Sequence, residues 1–112
     1  MQKKSLDALA REQLELARRS SAARSATTVV GGHEHAMRQT VIALCAGAEL
    51  AEHENPGEAT IQVLTGRVEL LVGDDSWQGR SGDLITIPDA RHTLLAHEDA
   101  VVLLTAVPRS HR

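Results

Sequence analysis

From Thr27 to Val107 the chain holds no hydrophobic period for long. Short apolar or β-branched runs end at Gly, Pro, Asp or Ser after a few residues, and another run begins. The runs are Thr27 to Val30, Met37 to Cys45, the stretch after Gly47, Thr60 to Thr65, Arg67 to Val72, Ser76 to Gln78, Leu84 to Ile87, Arg91 to His97 and Ala100 to Val107. Between them stand Gly31-Gly32, Pro56-Gly57, Gly66, Gly73-Asp74-Asp75, Arg80-Ser81-Gly82-Asp83, Pro88 and Glu98-Asp99. Many short strands at close spacing, parted by turn residues, fold as an antiparallel sandwich or a small barrel. In the Met37 to Cys45 run, Val41, Ala43 and Cys45 share one face and Thr40, Ile42 and Leu44 the other. Both faces are largely apolar, so this strand is expected to be covered on both sides, with Cys45 a buried small hydrophobe. Trp77 is the largest apolar side chain offered to a core or an interface.

Only the first residues depart from this pattern. Residues 5 to 19 read as a helix, with Ser5 placed to cap it. Leu6, Leu9, Gln13 and Leu16 recur at helical spacing, and Ala10, Leu14 and Ala17 widen the stripe. Arg18 and Arg19 suit the negative end of the dipole. A helix of this length is marginal alone in water. It must dock, either on its own domain or across a dimer. Ser20 to Ser25 reads as a linker, so the expected division is residues 1–27 for helix and linker, 28–108 for the barrel and 109–112 for a tail.

Composition bounds the function. A chain of 112 residues fits one domain. The net charge is -3 with both signs interspersed, which leaves no basic footprint for nucleic acid. One Trp with no Phe or Tyr makes the core aliphatic and offers no stacking platform for bases. A lone cysteine forms no internal disulfide and suits a reducing compartment. MQKKSLDALAREQ lacks the apolar region of a signal peptide, and no run approaches the ~20 residues of a membrane span. A cytoplasmic protein with no membrane partner is the expectation. No nucleophile elbow, phosphate-cradling Gly loop or zinc-knuckle cysteine set is present.

The punctuation resembles that of the cupin superfamily, whose fold is a double-stranded β-helix, an all-β jelly-roll barrel. The first cupin motif is Gly, five residues, His-x-His, three or four residues, Glu, six residues, Gly. Here Gly47 is followed after five residues by His53; Asn55 stands at the second His, Ala59 at the Glu, and Gly66 closes the motif. The second motif is Gly, five residues, Pro-x-Gly, two residues, His, three residues, Asn. Gly82 and Pro88 fit it, Ala90 replaces the Gly, His92 arrives one residue early and Ala96 stands at the Asn. The resemblance covers residues 36 to 107 and implies a fold more firmly than an activity.

His53 and Asn55 are two apart on a strand, so both leave on one face, together with Ala51. The resemblance implies that this face lines the barrel mouth and that His92 joins it, sharing its own face with Leu94 and Ala96. A polar pocket of His53, Asn55, His92 and Gln39 would bind a small molecule, sensing or sequestering it. The alternative is a metal-dependent enzyme, an oxygenase or isomerase, with one divalent transition metal (Zn, Ni, Fe, Mn or Cu) at His53 and His92. The carboxylate expected of such a site is missing at Ala59, and Glu58 is offset to the opposite face. His33 and His35 form a second candidate metal pair, solvated in a turn or folded over the mouth. His97, Glu98 and His111 read as surface residues. The resemblance and the amphipathic helix together imply a homodimer.

Overall fold

Ser5 starts the helix α1, Leu6–Arg19, its Oγ accepting from the Ala8 N–H at 3.2 Å. Asp7 lies in the first turn and Arg18 and Arg19 in the last, each on the end that the helix dipole favours. The computed structural model describes residues 2–52 and 57–108, with Glu52 described by its backbone alone. His53, Asn55, His111 and the expected tail 109–112 lie outside the described residues.

Strands follow in chain order: β1 Arg24–Val30, β2 Arg38–Leu44, β3 Glu49–Glu52, β4 Gly57–Thr65, β5 Arg67–Val72, β6 Asp75–Arg80, β7 Leu84–Thr86, β8 His92–Ala96 and β9 Ala100–Pro108. Their order in space is β1-β2-β9-β4-β7 in one sheet and β3-β8-β5-β6 in the other, with every pairing antiparallel. The chain changes sheet between β2 and β3, β3 and β4, β4 and β5, β6 and β7, β7 and β8, and β8 and β9, which is the winding of a double-stranded β-helix. The expected sandwich is the observed one.

Alternation places the core. Ile42 and Leu44 of β2, Ile61 and Val63 of β4, Val68 and Leu70 of β5, Leu94 of β8 and Val102 of β9 meet between the sheets. Leu44, Leu70 and Leu94 are each 1% exposed or less, and burying such a side chain contributes about 2 kcal/mol. The opposite face of β2 and β9 carries Val41, Ala43, Val101 and Leu103, and α1 covers it with Ala10 and Ala17. Alanines on helix and sheet let the two backbones approach closely. The helix therefore docks on its own domain. Gln13 is also buried there, satisfied by the Ser25 hydroxyl, which donates to its Oε1 at 2.6 Å.

Five sequence expectations change. Leu16 falls at the flank of the helix stripe and is exposed. Cys45 lies just past the end of β2 and is only half-buried. The linker is shorter, because Arg24 already pairs with Leu44 and β1 runs the length of β2. Trp77 shares the inward face of β6 with Gly79, opposite Leu70, yet is 48% exposed because β6 is a sheet edge. Ala51 is exposed on the outer face of β3, while Leu50 packs against the core.

At the helix C-terminus, Arg18 Nη2 donates to Asp99 Oδ2 at 2.9 Å, and the Ala46 N–H donates to Asp99 Oδ1 at 2.8 Å. The Ala46 N–H and then the Arg18 guanidinium hold the Asp99 carboxyl below its usual pKa. On the outer face of the four-stranded sheet, His97 Nε2–H donates to Glu69 Oε1 at 2.7 Å, and this bond, followed by one from Ser76, lowers Glu69 likewise. A carboxyl whose folded pKa is depressed stabilises the fold above its unfolded pKa, near about 4, and loses that contribution as pH falls through the folded value. Urea midpoints should therefore be flat with respect to these two groups above about pH 5 and fall below about pH 4. In Asp99→Asn the acid-limb slope should be shallower than in the parent; an unchanged slope would remove Asp99 from this role.

Candidate functional site

Pro88 cannot donate to a ladder, and the chain leaves the sheet there and turns through 88–91 before β8 begins at His92. The Ala90 N–H donates to the Pro88 carbonyl at 2.9 Å and closes the turn. His92 then faces inward with Leu94 and Ala96, while Thr93 and Leu95 face out. It is 8% exposed, and with Gln13 it is one of two buried polar residues among those described.

The imidazole orientation is set locally. Its Nδ1 lies 3.0 Å from the Ala90 carbonyl oxygen. A carbonyl only accepts, so Nδ1 carries the proton, and in the neutral imidazole Nε2 keeps its lone pair. His92 is thus a fixed acceptor, or a metal ligand, at Nε2. Small and apolar residues face the core from the opposite sheet. On the facing sheet Ala59 and Ala106 are register partners that both turn toward the core, and Ile87 beside them donates its N–H to the Ala59 carbonyl at 3.0 Å. On β3 the backbone of Glu52 is the register partner of His92.

The other sequence-predicted residues divide. His53 and Asn55 lie outside the described residues, in the connection between β3 and β4. That connection joins the strand end that pairs with His92 to the strand end that pairs with Pro108. Gln39 is not on the inner face. It shares the outer face of β2 with Val41 and Ala43, and its Nε2 donates to Thr105 Oγ1 at 3.1 Å across the β2–β9 pair. Strand alternation sends it away from His92, which corrects its assignment to the pocket. His33 and His35 are exposed in the loop between β1 and β2, with His35 Nε2 3.8 Å from Glu34 Oε1. His35 and Glu34 border a cavity of about 530 Å³ shared with Gln2, Lys4 and Thr28, on the side of the N-terminal segment. Glu58 is exposed on the outer face of β4, one residue from the buried Ala59.

A metal implied by the cupin resemblance is tested by this donor set. Among the described residues His92 is one imidazole, Ala59 supplies no oxygen and Glu58 points out. No group of three His, Cys, Asp or Glu able to hold a metal occurs among them. Catalytic zinc takes three protein ligands, and non-haem iron takes two His and a carboxylate. The described residues do not fit either set.

Sequence reasoning missed one polar cluster. Arg67 and Arg80 are register partners at the far end of the β5–β6 hairpin. The signal was available: counting outward from the turn at Gly73-Asp74 pairs Val72 with Asp75 and ends with Arg67 opposite Arg80.

No protein-family model and no curated protein sequence matches this chain. Solved structures do. A conserved protein of unknown function from Streptococcus pyogenes is 27% identical over 80% of this chain and 77% of its own, with a TM-score of 0.69. A Cupin 2 conserved barrel domain protein from Salinispora arenicola is 18% identical over 98% of this chain and 91% of its own, with a TM-score of 0.72. Salicylate 1,2-dioxygenase from Pseudoaminobacter salicylatoxidans, solved as adducts with gentisate, is 22% identical over 90% of this chain, with a TM-score of 0.70. This chain covers 31% of that enzyme, and the likeness is one of fold. With its two interleaved antiparallel sheets and these likenesses, the chain has the fold of a small cupin domain.

Proposed function

We propose that this cupin domain binds a small molecule at the end of the barrel where His92 faces inward, and that it senses or sequesters that molecule without metal chemistry. The observation that carries the reading is the buried imidazole with its Nδ1 proton committed to Ala90. Among the described residues this leaves one oriented acceptor, Nε2, on the core-facing side of β8 with Leu94 and Ala96. Such a site suits a ligand with an apolar body and one hydroxyl or N–H donor. Ala59, at the position of the family's carboxylate, favours this over the metal-dependent oxygenase or isomerase that the dioxygenase likeness suggests.

The test uses tag-free protein. Titration with a panel of small neutral alcohols and amides, followed by imidazole ¹⁵N chemical shifts, should move His92 Nε2 and leave Nδ1 protonated. His92→Ala should weaken any hit tenfold or more, the ~1.4 kcal/mol that one buried hydrogen bond supplies. The same protein is incubated with Zn, Ni, Fe and Mn salts and its metal content measured. Stoichiometric metal in the parent that His92→Ala abolishes would replace this reading with the metal-enzyme one.

A further inference from the structure

At the opposite end of β5 from the His92 side, Arg67 and Arg80 stand directly across the hairpin from each other. Like charges in that register destabilise a sheet unless something neutralises them. Together with Gly66, Ser81 and Glu98 they line a cavity of about 380 Å³. Glu98 is the one carboxylate in that lining, and its Oε2 stands 3.6 Å from Arg67 Nε, beyond hydrogen-bond reach. Arg67 Nε is shielded from solvent and has no acceptor among the described residues. The Arg67 side chain as a whole is 41% exposed, but a shielded Nε–H without an acceptor calls for an explanation, and a bound ion is one. Among the described residues no carboxylate reaches ion-pair distance of the Arg80 guanidinium. Ser81 has already given its proton to the Leu64 carbonyl at 2.9 Å, so the donors left to a ligand are the two guanidiniums.

We propose that this cavity binds a small oxyanion, a phosphate or carboxylate group. Two guanidiniums against one carboxylate leave the lining with a positive balance, and the planar fork of Arg matches such oxygens in pairs. The site is separate from the one at His92. Arg67 begins β5, whereas Leu71, near its other end, pairs with Thr93 beside His92, a separation of about 13 Å along the strand.

Calorimetric titration with inorganic phosphate and, separately, with acetate, both at constant ionic strength, tests it. At least one anion should bind saturably at one site, and which one binds assigns phosphate or carboxylate. Arg67→Gln and Arg80→Gln should each weaken it tenfold or more. Glu98→Gln should tighten it threefold or more, because it removes the opposing charge. His92→Ala should leave it unchanged. Arg80 is exposed on an edge strand, so Arg80→Gln should keep the parent melting temperature and report on binding alone. Absence of saturable binding by either anion, or binding that survives both arginine substitutions, would overturn the proposal.

Discussion

Gly66→Ala should lower the melting temperature of this domain by about 15 °C or more, the largest effect of any single methyl group added to it. Gly66 is the one residue between β4 and β5, where the chain crosses from one sheet to the other. Its φ is +85°, a conformation that costs an L-residue about 1–2 kcal/mol. A Cβ there would also lie 2.3 Å from the Asp99 carbonyl oxygen and 2.7 Å from Ala100 Cα. These are backbone atoms at the start of β9, and Ala100 is 1% exposed, so neither can swing aside as a side-chain tip would. Overpacking of this kind costs a further 1–3 kcal/mol or so. The sum is about 2–5 kcal/mol, centred near 3.5, and each kcal/mol moves the midpoint of a domain this size by roughly 4 °C or more. Gly47→Ala is the control. Gly47 has nearly the same φ, +88°, but a Cβ there meets nothing within 4 Å, so it should lose about 1–2 kcal/mol. Thermal and urea unfolding of both variants measures the difference. Equal losses would show that close approach contributes nothing at Gly66.

Ala17→Glu should detach α1 from the sheet. Ala17 is 0% exposed and packs in the cluster formed with Val41, Ala43 and Val101, each also 0% exposed. A glutamate there must either enter that interface unpaired or push the helix off it. Burying an unpaired carboxylate costs more than the interface contributes, so the helix leaves, and a free helix of this length does not persist in water. Helical circular dichroism should fall, α1 amides should lose hydrogen-exchange protection, and stability should drop by about 3 kcal/mol or more, the range of a charge forced into a core. Leu16→Glu changes the next residue along the chain, where the side chain is 42% exposed, and should cost about 0.5 kcal/mol or less. If Ala17→Glu kept full helicity and protection, the helix would not depend on this sheet. The Arg18–Asp99 ion pair does not alter this expectation, since it is exposed and such pairs contribute about 0–1 kcal/mol.

The candidate site was partly legible. Parity along Arg91 to His97 puts His92 with Leu94 and Ala96, and the structure turns that face into the core. Nothing in the residue pattern showed that Ala90 would take the Nδ1 proton, because that bond depends on the turn after Pro88. Gln39 shows the limit more sharply. It has the parity of Val41 and Ala43, but both faces of β2 are apolar, and the pattern does not say which looks into the barrel and which lies under α1.

What the amino-acid order determined by itself is local. The helix from a Ser cap to two terminal arginines, the span of β5 and the turns at Gly66, Gly73 and Gly82 follow from capping, side-chain period and backbone freedom within a few residues. Tertiary structure decided the facing and the exposure. Ala51 turned outward because β3 pairs Leu50 with Leu94 on the core side. Trp77 stayed half in solvent because β6 has a neighbour on one side only. A period-two strand defines two faces without naming either; the partner strands and the helix that arrive from distant sequence choose between them by which face they bury.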